Sequence, residues 1–254
     1  MKRYFLLSIL FFGFISCAQK EKTAVYKNTN NTACNPCFLV SKMTKIDQKT
    51  KNKETIEYHY DSLRRLIQAQ YDMYTIYYRY DKNNNPIEIE TKFKDYGKYM
   101  DMTESFFYTK QNIQKELRIG DAMELISTAY YTINDFGLVN KTKSDQGYSS
   151  NNEHDKDGNL IKITYDKKGK CSITEYKYDH RFLWPFINTV GNRPDVIALK
   201  NIVIKQIDYN CDNPESKDTT SFTYTYNKEG YPTTIKEQKN KNTKTITYYE
   251  YIIK

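Results

Sequence analysis

The chain has 254 residues and a formal net charge of +8, from 39 Lys plus Arg against 31 Asp plus Glu, and it carries 25 tyrosines. That length suits one large all-β domain or two small ones. The charge excess is mild and its lysines are scattered through turns and strand faces rather than gathered in a stripe, so no nucleic-acid partner is expected.

The chain opens with Lys2 and Arg3, followed by an apolar stretch from Tyr4 to Ile15 and then Ser16-Cys17-Ala18-Gln19. The stretch has the length of a signal-peptide core and falls short of the roughly 20 residues a membrane-spanning helix needs. A small residue before Cys17 resembles the lipobox of bacterial lipoproteins. That resemblance implies cleavage after residue 16, acylation of the Cys17 sulfur, and a membrane partner reached through lipid. Residues 1–16 are therefore read as a signal peptide. Residues 17–32, rich in Lys, Asn and Thr, cannot bury enough surface to offset the entropy of ordering them and read as a tether. No later run is apolar enough to span a membrane.

From residue 33 to 254 the chain reads as one β-hairpin repeat domain. An aromatic strand ends in Tyr, Asp or Asn follows, Gly or Asn comes three positions later, and a Leu, Val or Pro leads into the return strand. The copies are Tyr60-Asp61, Tyr80-Asp81 with Asn84, Asn134 with Gly137, Asp155 with Gly158, Tyr165-Asp166 with Gly169, and Asn227 with Gly230. Asp or Asn opens a type I turn through its side chain, and Gly or Asn takes the left-handed position that makes a bulge. Arg64 occupies that position in the first copy, which predicts a looser or differently built turn. Return strands begin at Leu66, Pro86, Val139, Leu160, Cys171 and Pro232, and Ile89, Ile163 and Ile235 recur three residues on. Segments such as Phe222-Thr223-Tyr224-Thr225-Tyr226 alternate with period two, as half-buried strands do. The expected fold is an all-β antiparallel sheet of repeated hairpins.

These residues resemble the YD-repeat proteins, whose Tyr-Asp hairpins stack into long twisted sheets. The lipobox, the sparse hairpins and the segment from Tyr178-Asp179 through Trp184-Pro185-Phe186 to Asn201-Ile202 resemble lipoproteins of the Bacteroidota that have no established activity. The resemblance implies a fold and an address rather than a reaction, and six copies are too few to close the large shells some YD-repeat proteins form.

Periodicity breaks once, in an irregular insertion near 182–198 that holds the single Trp. Phe182, Trp184 and Phe186 there either plug one end of the sheet or contact a ligand or partner. Tyr58, Tyr78, Tyr176, Tyr224 and Tyr249 raise a parallel choice between cross-strand ladders and an aromatic recognition face.

With Cys17 acylated, Cys34, Cys37, Cys171 and Cys211 remain. An even count in an oxidising compartment suggests disulfides, with Cys34 to Cys37 favoured and Cys171 and Cys211 as the alternative partners. Cys34-Asn35-Pro36-Cys37 also has the spacing of a redox dithiol, but the βαβ setting of that chemistry is missing. A tetrathiolate zinc site would need four converging thiols. Asp155-Lys156-Asp157-Gly158-Asn159 resembles half a calcium loop without the closing Glu, so a turn accounts for it better. The three histidines, His59, His154 and His180, fall in no catalytic pattern, and neither cofactor nor metal is expected. The sequence thus reads as a lipid-anchored binding or accessory protein of the cell envelope, placed in the outer membrane and contacting an envelope protein or glycan. A glycan hydrolase with two carboxylates is the alternative, and a redox-active dithiol protein the second.

Overall fold

The computed structural model describes residues 38–134, 137–183, 201–239 and 242–253, and the short segments 12–13 and 197–198. At 12–13, 180–183 and 197–198 the description is of backbone only. The strands are β1 (Phe12–Gly13), β2 (Phe38–Asp47), β3 (Lys53–Tyr60), β4 (Leu66–Gln70), β5 (Tyr74–Tyr80) and β6 (Pro86–Phe93), then β7 (Met102–Tyr108), β8 (Asn112–Ile119), β9 (Glu124–Ile133), β10 (Val139–Ser144), β11 (Tyr148–His154) and β12 (Leu160–Lys167). They continue as β13 (Lys170–Leu183), β14 (Ile197–Ala198), β15 (Asn201–Asn210), β16 (Asn213–Tyr226), β17 (Pro232–Lys239) and β18 (Asn242–Ile253). Apart from the short parallel pair β1·β14, every strand lies antiparallel to its neighbours in one closed barrel of 16 strands. Neighbours in space are neighbours in sequence, and β18 closes the ring on β2 through pairs such as Thr247 with Lys45. The expected hairpins are therefore present, but the open sheet they were expected to form is replaced by a barrel without edges, which removes the pairing hazard an open sheet carries.

Five turns share one construction. The amide of Asp61, Asp81, Asn134, Asp155 or Asn227 donates to the carbonyl four residues on, and the amide three residues on donates back. In each, the side-chain Oδ1 accepts from the amide four residues on, at 2.8–2.9 Å. The third position takes φ between 64° and 87°: Arg64, Asn84, Gly137, Gly158 and Gly230. The Arg64 turn is thus not looser than the rest. It adopts the same left-handed backbone at a steric cost of about 1–2 kcal/mol, so Arg64→Gly should raise stability by about 0.5–1 kcal/mol, read as a higher urea midpoint. The Tyr165-Asp166 copy is the exception. Lys167 pairs with Lys170 across a two-residue turn in which Lys168 and Gly169 both have positive φ, the primed hairpin geometry, and Asp166 sits inside the strand.

After each shared turn the register slips by one residue, as at His59/Tyr60, Arg79/Tyr80, Glu153/His154 and Thr225/Tyr226. A bulge brings positions three apart to the same face. Leu66 and Ala69, Leu160 and Ile163, and Pro232 and Ile235 are consequently buried together, which is why isoleucine recurs at that spacing. The bulge also leaves a carbonyl off the ladder, and the tyrosine of the next strand donates to it: Tyr80 to Leu66, Tyr108 to Pro86, Tyr178 to Leu160 and Tyr251 to Pro232. Tyr60 to Val40 and Tyr224 to Val203 repeat the arrangement. Tyrosine at these inner positions thus has a structural role: its ring fills the interior and its hydroxyl satisfies a main-chain acceptor.

Candidate functional site: the polar mouth of the barrel

Period-two alternation divides each strand between an inner and an outer face. The outer face carries charged groups around the wall, including the pairs Arg79–Glu88, Lys92–Glu90, Arg118–Glu116, Lys162–Glu153 and Lys42–Glu250. A lipid-facing barrel presents an apolar band about 25 Å tall, where each Lys or Arg near the midplane costs about 2–4 kcal/mol. These charges set the wall apart from such a band, although Ile67, Tyr77, Ile87, Phe107 and Tyr130 are exposed on it as well.

The inner face is graded along the barrel axis. Toward the five shared turns it is apolar and closed, with Ile56, Tyr58, Tyr60, Tyr78, Ile89, Ile113, Ile163, Tyr178 and Ile202 all at most 9% exposed. A round barrel of this strand number would hold an aqueous channel. Inner side chains this buried require opposite walls to pack face to face, at the roughly 10 Å spacing of stacked sheets. Burial pushes the phenols of Tyr58, Tyr60, Tyr176 and Tyr224 well above their ordinary range. The tyrosines singled out in the sequence therefore form internal ladders, and Tyr249 packs against the same core.

Toward the opposite end the inner residues become polar and half-open. Tyr165 and Ser150, Thr174, Asp208, Asp218, Glu237 and Thr245 follow one another on the inner face of β12, β11, β13, β15, β16, β17 and β18. Asp208 Oδ1 accepts from the Thr174 hydroxyl at 2.7 Å, and the Gln206 amide spans both oxygens at 3.1 and 2.9 Å. Asp218 lies directly across the ladder from Asp208 and pairs with Lys239 at 2.5 Å. Thr245 donates to Glu237 at 2.8 Å. Tyr148 and Tyr165 stand beside this cluster with ring centroids 6.0 Å apart, and Asp208 is close enough to help raise the Tyr165 phenol, after the larger effect of burial. On β7 and β8 Lys115 pairs with Glu104 at 3.1 Å, both less than a fifth exposed, beside Ile89 and Phe106 in the ladder. Acids, amide, hydroxyls and rings thus line one mouth.

Cys171 and Cys211 are bonded to each other at its rim, joining residues 40 apart with Cα atoms 5.4 Å apart. That bond joins the two cysteines named from sequence as alternative partners and takes two thiols from any tetrathiolate site; Cys34 and Cys37, and the pairing favoured for them, lie outside the described residues. The Asp155 loop is a turn, since its carboxylate oxygens accept from the amides of Asp157 and Asn159 and from the Asn159 side chain. Burial lowers the His154 pKa, with Asp155 opposing, which favours a neutral imidazole. Among the described residues, no group of three or more His, Cys, Asp or Glu is arranged to hold a metal ion.

Of the residues proposed from sequence for binding, Trp184 and Phe186 lie outside the described residues, as does Cys17. Phe182 is placed by its backbone at the end of β13. Thr174, Gln206, Asp208 and Asp218 were missed. The phase of β13 and β15 could have paired them, because Thr174 shares a face with Tyr176 and Tyr178, and Asp208 with Gln206. Nothing in either segment says which face turns inward.

No protein-family model matches the chain, and no curated protein matches it. Among solved structures it is similar to a porin-like protein from Bacteroides vulgatus, at 11% identity and a TM-score of 0.48, covering 85% of this chain and 99% of that one. It is similar also to a porin-like protein from Bacteroides uniformis, at 15% identity and a TM-score of 0.41, covering 85% and 98%.

Proposed function

We propose that the protein is a lipid-anchored binding protein of the bacterial cell envelope, held at the outer membrane through Cys17, with a water-exposed barrel whose polar mouth receives the ligand. The observation that carries this reading is the polarity of the barrel along its axis. Phe38 starts β2 at the shared-turn end, and Leu183 and Asn201 bracket the insertion at that same end. A chain tethered ahead of Phe38 holds this packed end toward the membrane and leaves the mouth pointing away. Phe182 lies by its backbone at that membrane-side end, where it suits contact with an envelope protein; Trp184 and Phe186, outside the described residues, are proposed for the same contact. The charged wall argues for an anchor in lipid rather than a barrel in lipid.

Cell fractionation of Cys17→Ala tests the anchor: the variant should move from the membrane pellet to the soluble fraction. Retention in the pellet would sink the reading, because the barrel itself would then hold the membrane. Tagged full-length protein should also retain a saturable component of detergent-solubilised envelope, whereas no component above a heat-unfolded control would remove the binding role. One observation favours a second reading as a glycan hydrolase: Asp208 and Asp218 face each other on the inner face and neither belongs to one of the shared Asp/Asn turns.

A further inference from the structure

We propose that the mouth takes a neutral, hydroxyl-rich saccharide. This deepens the preceding reading and rests on the mouth being the binding end.

Each of its acids is held by a neighbour. Lys239 pairs with Asp218, and Asp208 and Glu237 are held by hydroxyl and amide donors rather than by cations. Recognition of an anionic ligand calls for an unmatched cation, and a mouth lined by acids instead penalises one. A carboxylate nevertheless offers about four acceptor positions. Asp208, oriented by Thr174 and Gln206, can accept further hydrogen bonds from ligand hydroxyls, and such charge-assisted bonds are stronger than neutral ones. The adjacent Tyr148 and Tyr165 rings supply what a sugar also needs, a flat apolar face with a polar edge. The side chains are held on strands, and the Cys171–Cys211 bond ties β13 to β15 beside Asp208, so the arrangement is largely formed before a ligand arrives.

The test is titration calorimetry of the purified full-length protein with soluble neutral polysaccharides (glucan, mannan and xylan), with polygalacturonate and with calcium chloride. Saturable binding to at least one neutral polymer is expected, little changed by salt and weakened about tenfold or more by Asp208→Asn. Tyr148→Ala should weaken it comparably and Tyr148→Phe should not. Thermal melts verify that each variant is folded. Binding only to polygalacturonate or calcium, binding to none of the probes, or equal affinity in Asp208→Asn and Tyr148→Ala would each overturn the proposal. Failure here together with successful envelope capture removes the saccharide and leaves the binding role; failure of both removes the binding role as well.

Discussion

Titrated with base, the protein should keep its fold up to about pH 10 and then unfold in one cooperative step near pH 11. Phenolate absorbance should appear together with the loss of β-sheet circular dichroism. The cause is the tyrosine interior. Burial raises the phenols of Tyr58, Tyr60, Tyr80 and Tyr165, and likewise those of Tyr176, Tyr178, Tyr224, Tyr249 and Tyr251. Less buried Tyr74 is still pushed up to about 12. A raised folded pKa contributes stability that is complete below the unfolded value near 10 and is lost as pH climbs toward the folded value. At pH 11 each unfolded phenol releases its proton at a gain of about 1.4 kcal/mol that the buried phenol cannot match. Nine such groups give roughly 12 kcal/mol, comparable to the entire stability of an ordinary domain. Gradual titration of the tyrosines with the sheet signal intact would show instead that water reaches the rings and that the packed half of the barrel is open.

The same tyrosines mark how far the sequence could be read. Tyr before Asp, a left-handed position three residues on and Ile three residues into the return strand made the turns legible, because each is a local demand of the backbone. What they cost was harder to see. The hydroxyl bonds from Tyr80 to Leu66 and from Tyr108 to Pro86 depend on a slipped register between strands, and register is a property of pairs. Closure was hidden for a related reason: the contact of β18 with β2 joins the two ends of the domain, and alternation in either strand is satisfied equally by an open sheet. The mouth was less legible still. Thr174, Gln206 and Asp208 look like polar residues of any water-facing strand face until the inner phase of β13 and β15 is fixed by Tyr176, Tyr178 and Ile202 packing into the core. The insertion drew attention because it broke a pattern, whereas the mouth keeps the pattern and changes only the chemistry within it.

Asn159→Ala should cost about 3 kcal/mol, while Asn85→Ala, the same substitution at the same place in another copy of the turn, should cost about 1 kcal/mol or less. Both asparagines stand four residues after the turn aspartate and both are buried, at 0% and 3% exposed. Their surroundings differ. The Asn159 amide donates to Asp155 Oδ2 at 2.9 Å and to Asn201 Oδ1 at 3.0 Å, and its Oδ1 accepts from the Asn201 amide at 2.7 Å. Truncation removes all three bonds from a dry site and takes from Asn201, itself 5% exposed, the acceptor of its main-chain N–H. Asn85 donates only to Asp81 Oδ2, at 3.1 Å, and its Oδ1 has no hydrogen-bond partner. Its truncation loses one bond and also deletes an unsatisfied buried oxygen, so the two effects partly cancel. Urea midpoints of the two variants measure the difference directly, and equal losses would mean that the Asp turn alone, common to both, sets the energy. The larger effect has a structural reason as well, because Asn201 is the residue at which the chain re-enters the barrel as β15. The Asn159–Asn201 pair fastens that strand to the β11–β12 turn, and the alignment of β15 is what places Gln206 and Asp208 in the mouth.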